Sequence, residues 1–73
     1  MKEIEKIYEA LKEKGYDPIA QIAGYVLSGD PTYITAHKGA RHLINEIDRE
    51  ELLQEAFTSY FAGVEDDDTS GKK

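Results

Sequence analysis

The chain has 73 residues, a formal net charge of -6 and no cysteine. A chain this short buries only about 60% of its unfolded surface, so it forms one small domain whose core needs good helix packing or association with another chain. The absence of cysteine excludes disulfides and thiolate metal sites. The excess of 15 acidic over 9 basic residues argues against broad nucleic-acid affinity, and no apolar run approaches the roughly 20 residues of a membrane span. We therefore expect a cytoplasmic protein that binds no membrane and lacks broad affinity for nucleic acid, while a local basic patch remains compatible with this composition.

The first helix is predicted by apolar residues at helical spacing. Ile4, Ile7, Tyr8 and Leu11 recur at i, i+3, i+4 and i+7 and share one face, with charged residues on the other. Gly15 provides a left-handed end for this helix.

The second helix is predicted to begin at an Asp-Pro pair. Asp17 offers an N-cap carboxylate, and Pro18 takes the first helical position, where its missing N–H costs nothing. Gly24 lies in mid-helix, which predicts that another backbone comes close, and Gly29 ends the helix. The apolar stripe of this helix contains Ile19, Ile22, Ala23, Val26 and Leu27.

The sequence SGDP repeats the pattern of an aspartate followed by a proline, at Asp30 and Pro31. A phosphate-binding loop would need several glycines, a lysine and a hydroxyl at fixed spacing, whereas SGDP has one glycine and an acidic residue where the anion would lie. We interpret it as a corner between helices. The β-branched and aromatic segment that follows predicts one short helical turn or an irregular corner.

Two further helices follow. The third has an apolar face made of Ala36, Ala40, Leu43, Ile44 and Ile47. Asp48 and Glu51 have capping-box spacing and open a fourth helix that ends at Gly63. Its wide apolar stripe consists of Leu52, Leu53, Ala56, Phe57, Tyr60 and Phe61. The apolar surface of this stripe is larger than three short helices can cover. We therefore expect the uncovered part of the stripe to face a second subunit in a homodimer.

The predicted fold class is therefore all-α, a compact bundle of four to five short helices. Residues 1–63 form a single helical domain. Residues 64–73 are acidic and nearly free of apolar groups, and we expect a disordered tail there.

The sequence contains no set of residues with the types and spacing that catalysis or metal binding requires. His37 and His42 are five residues apart, not the four of a shared helix-face site, and the His42–Glu46 pair lacks further ligands. None of the serines has a G-x-S-x-G setting. We expect no catalytic residue, no metal, no cofactor and no enzymatic activity.

Four cations form a locally basic group on and after the third helix: His37, Lys38, Arg41 and Arg49. They are candidates for binding a protein partner. An alternative is a helix-turn-helix that contacts nucleic acid, although Glu46, Glu50 and Glu51 lie among the cations. A third interpretation is that these cations only form a solvent-exposed face of the helix and pair with glutamates.

Three stretches carry a resemblance to a known family: KGYDPIAQIAGYVLSGDPTYI, HKGAR and DREELLQEAFTSYF. Their order resembles the IreB family of small regulatory proteins from low-GC Gram-positive bacteria, over about Ile4 to Phe61. The unbroken GYVLSGDP is the most specific part.

The resemblance implies a helical homodimer without catalytic activity that controls cell-wall synthesis in the cytoplasm. Family members are substrates of a membrane Ser/Thr kinase with PASTA repeats, and they influence the stability of the enolpyruvyl transferase that commits sugar nucleotide to peptidoglycan. Their phosphorylated threonine lies in an arm before the first helix. The helix here begins almost at Met1, so we expect no residue of this chain to match that threonine.

Overall fold

A computed structural model describes residues 2–67 of the chain, and this part is all-helical, without strands. The prediction of an all-α fold is confirmed. The described residues form five α-helices and two short 3-10 turns: α1 (Lys2–Glu13), α2 (Pro18–Ser28), a turn at Pro31–Tyr33, a turn at His37–Gly39, α3 (Ala40–Ile44), α4 (Arg49–Tyr60) and α5 (Ala62–Asp67). Helix α5 covers the first residues of the predicted acidic tail, and residues 68–73 of that tail lie outside the described part.

The two Asp-Pro pairs form the corners around α2. Asp17 Oδ1 accepts hydrogen bonds from the backbone N–H groups of Ile19, at 3.1 Å, and Ala20, at 3.3 Å, so two unpaired donors of the first turn are satisfied. At the second corner, the Asp30 carboxylate accepts from the Thr32 backbone N–H at 3.0 Å and from its hydroxyl at 2.7 Å. SGDP is thus a capped corner that leads into one 3-10 turn.

The third helix differs from its prediction. The sequence indicates a helix from Ala36 to Ile47, but the regular α-helix spans only Ala40–Ile44. Lys38 has φ 54° and Gly39 has φ 73°, so two successive residues adopt the left-handed conformation. A right-handed helix cannot continue through such a pair, and the chain therefore enters α3 through a tight turn.

Helix α1 lies at the centre of the core and packs against both α2 and α3. Ile7 and Leu11 of α1 are completely buried, together with Ile34 from the loop and Ile44 from α3. Tyr25 of α2 contributes the one buried aromatic ring among the described residues. The core is small, and it belongs to α1, α2, α3 and the loop between α2 and α3.

A glycine is needed at position 24 because a side chain packs closely against it. The sequence suggested another backbone there instead. A Cβ at this position would lie 2.6 Å from Cδ1 and 3.0 Å from Cζ of Tyr33. The Tyr33 ring therefore rests directly on α2, and the Tyr33 carbonyl accepts a hydrogen bond from the Gln21 side chain at 2.8 Å. These two contacts hold the 3-10 turn against α2.

Replacing Gly24 by alanine tests this packing. In the wild-type background we expect Gly24→Ala to lower the free energy of unfolding by about 1–2 kcal/mol, because the displaced Tyr33 ring costs more than alanine gains in helix propensity. With Tyr33→Ala as the background, the same change should instead raise stability by up to about 1 kcal/mol. Urea denaturation of the four proteins measures both effects, and an equal effect of Gly24→Ala in both backgrounds would refute the contact.

Candidate docking surfaces

Two of the four predicted partner-binding cations meet at one carboxylate. His37 Nε2 lies 2.8 Å from Glu13 Oε1, and Lys38 Nζ lies 3.2 Å from the same oxygen. The hydrogen bond to His37, followed by that to Lys38, holds the pKa of the exposed Glu13 carboxyl below its usual value. This three-residue clasp (Glu13, His37 and Lys38) ties the left-handed turn to the end of α1.

The other two cations bind backbone carbonyls. Arg41 Nε donates to the carbonyl of Ile34 at 2.8 Å, and Arg49 Nη1 donates to the carbonyl of Val26 at 2.8 Å. Sequence reasoning grouped all four cations as one surface. The structure gives each a local partner, while Lys38 stays largely exposed, with 64% of its side chain accessible.

A larger feature is an open apolar groove of about 780 Å³ between α1, α2 and α4. Its floor and walls are mostly aliphatic, and three glutamates lie along it. The groove is lined by Ile4, Glu5, Tyr8, Glu9, Ile19, Ile22, Ala23, Val26, Leu27, Leu52, Leu53, Glu55, Ala56 and Ser59. The stripes of α1, α2 and α4 were each visible in the sequence, but their meeting in one groove depends on the angles between the helices and could not be inferred.

Helix α4 contributes little to the core. Leu52, in its first turn, is its single buried residue. Further along, Phe57 is 54% exposed and Tyr60 is 78% exposed, although both are large apolar or aromatic side chains. Tyr60 packs edge-on against Phe61 with ring centroids 4.8 Å apart. This exposed aromatic stripe (Leu53, Phe57, Tyr60 and Phe61) is the surplus that the sequence predicted for the fourth helix.

The described residues show neither a metal site nor a membrane span. They contain no cluster of three potential metal ligands. His42 and Glu46, which are four residues apart in the sequence, form an exposed pair with Nε2 and Oε2 3.4 Å apart. Within residues 2–67, no helix has both the length and the apolar character needed to cross a bilayer.

The clasp predicts a specific pH dependence of stability. Because the folded state lowers the pKa of Glu13 from 4.5, the clasp stabilises the fold above that pH, and its contribution is lost as the pH falls through the lowered pKa. We therefore expect Glu13→Gln to be less stable than wild type at pH 7, with the difference shrinking between about pH 5 and pH 3.

Urea denaturation across this pH range measures the difference. Glu3→Gln, which removes an exposed glutamate from the same helix, is the matched control and should show a smaller difference at pH 7. A Glu13→Gln deficit that stays constant or grows on acidification would contradict the clasp.

Comparison with known proteins agrees with the resemblance seen in the sequence. A family model described as the IreB regulatory phosphoprotein matches residues 1–62. A relative described as a UPF0297 protein, from Acetivibrio thermocellus, is 61% identical over 54 residues, which make up 74% of this chain and 60% of that relative. The chain thus spans less than two thirds of the length of that relative.

Proposed function

The chain belongs to the IreB family of regulatory phosphoproteins, and we propose that it acts in the cytoplasm by protein–protein contact, without catalysis, to control peptidoglycan synthesis downstream of a Ser/Thr kinase. A regulatory role follows from the family itself. The observation that carries the mode of action is the pair of uncovered apolar surfaces, the groove and the aromatic stripe of α4. Protein surfaces rarely expose such patches unless they bind another protein.

The occupant of the groove in this proposal is a second copy of the chain. The groove has walls from three helices and an open side. The apolar stripe of α4 is largely exposed, from 41% at Leu53 to 78% at Tyr60. In a two-fold symmetric pair, α4 of each copy would cover the groove of the other, so that both surfaces are buried in one step. Burying one large apolar side chain contributes about 1.5–3 kcal/mol, so a few such residues on each copy suffice for a stable dimer.

The exposed cations form the second part of the proposal. Lys38, together with His37, Arg41 and Arg49, would meet an acidic surface on the regulated protein. The comparisons offer no support for the nucleic-acid alternative. The formal net charge of -6 also counts against that alternative, as do Glu46, Glu50 and Glu51, which lie near these cations in the sequence.

A charge on the aromatic stripe should separate the two copies. We expect Phe57→Glu to weaken self-association at least about 100-fold, because a carboxylate would have to enter an apolar contact without a partner. Thr58→Glu is the matched control, since it adds the same charge at the adjacent exposed position, which belongs neither to the aromatic stripe nor to the groove lining. Sedimentation equilibrium measures both. A wild-type protein that stays at the mass of one chain at millimolar concentration would disprove the dimer.

The regulatory role is tested in the native host by following the turnover of the enolpyruvyl transferase. We expect deletion of the gene to change the half-life of the transferase, Thr58→Glu to restore it, and Phe57→Glu to fail, because the proposed active form is the dimer. Immunoblots after translation is stopped measure the half-life. An unchanged transferase half-life in the deletion strain would refute the cell-wall role, whatever the oligomeric state.

A further inference from the structure

The C-terminal end of α2 receives a cation from α4. The last turn of α2 has no basic residue of its own. The carbonyl of Tyr25 accepts from the backbone N–H of Gly29 at 2.7 Å, and the carbonyl of Val26 accepts from Arg49 Nη1 at 2.8 Å. Arg49 thus pairs with a helix-end carbonyl and places its positive charge at the negative pole of the α2 dipole.

Gly29 leaves room for the guanidinium of Arg49. A Cβ at position 29 would lie 3.0 Å from Arg49 Nη1 and 3.1 Å from Cζ, so the guanidinium lies directly against this glycine. Gly29 also has φ 77° and ends α2 in the left-handed conformation. The same glycine therefore ends one helix and accommodates the first residue of another.

Arg49 and Leu52 are the points at which α4 is fixed to the core. Arg49 is the first residue of α4, after its cap Asp48, and Leu52 follows three residues later as the one buried side chain of the helix. From Leu53 to Val64 every side chain is exposed. The direction of the long free part of α4, and with it the width of the apolar groove, depends on these two contacts.

We propose that Arg49 is a positioning residue that sets the angle of α4 against α2 and so keeps the groove open for a second copy of the chain. This deepens the proposed function and rests on it, because the groove is the proposed dimer surface. In setting this angle, Arg49 acts through Val26 and Gly29 and not by touching the second copy. A lysine is a poor substitute, since a flat guanidinium can lie on the glycine while donating in its plane and an ammonium cannot.

The angle of α4 can be measured by pulsed electron-spin resonance. The chain has no cysteine, so Lys6→Cys and Thr58→Cys introduce two label sites, both exposed and outside the groove lining. A large excess of unlabelled protein leaves one labelled chain per dimer, so the distance reported is within one subunit. We expect a single narrow distribution for the parent and a broader or shifted one for Arg49→Met, which keeps the length of the side chain and removes its donors.

Self-association is measured on the same variants without labels. We expect Arg49→Met to weaken it about tenfold and Arg49→Lys to lie between Arg49→Met and the parent in both measurements. Lys14→Met removes one positive charge at another site, and it should change neither the distance distribution nor the self-association. Far-ultraviolet circular dichroism shows whether each variant is folded. If Arg49→Met does not fold, the test is made with Arg49→Lys alone.

The possible outcomes separate the two proposals. An unchanged distance distribution in Arg49→Met and Arg49→Lys overturns the positioning role, and weakened association with unchanged distances would assign Arg49 to direct contact with the second copy instead. If the parent is monomeric at every concentration, the proposed dimer fails, while a changed distance distribution in the variants still supports the control of the α4 angle by Arg49.

Discussion

The packing of α1 between α2 and α3 is the constraint on which the structure depends. Ile7 and Leu11 are completely buried because helices cover α1 from both sides, and no side chain of α4 beyond Leu52 shares that environment. A chain of 73 residues has too few apolar residues to build a core around four long helices. The molecule therefore concentrates its buried side chains around α1 and leaves most of α4 outside.

The start of α2 and of the turn at Pro31–Tyr33 could be predicted from the sequence because capping is a local interaction. Asp17 and Asp30 each bond to N–H groups two or three residues ahead, so the neighbouring residues contain all the information. The break at Lys38 was missed for the opposite reason. A lysine seldom adopts φ 54°, and here it forms ion pairs with Glu13, 25 residues earlier in the chain. The end of the fourth helix was predicted at Gly63, whereas α4 ends at Tyr60.

The sequence predicted single components of the candidate docking surfaces, but not how these components are arranged. The aromatic stripe of α4 was visible as an excess of apolar residues, and its exposure follows from the small size of the core. The groove needs three helices at particular angles, which periodicity does not specify. Arg41 and Arg49 were recognised as cations, but their carbonyl partners, Ile34 and Val26, lie 7 and 23 residues away. Nothing in the composition distinguishes an arginine that binds a carbonyl from one that faces solvent.

The exposure of α4 also bears on how long the protein survives in a cell. Helix α4 has twelve residues, and an isolated helix of that length is marginal in water. A subunit without its proposed second copy would open this segment readily, and proteases cleave such transiently opened segments. Newly made chains that fail to find one another would be degraded first, so the lifetime of the protein would rise with its own abundance.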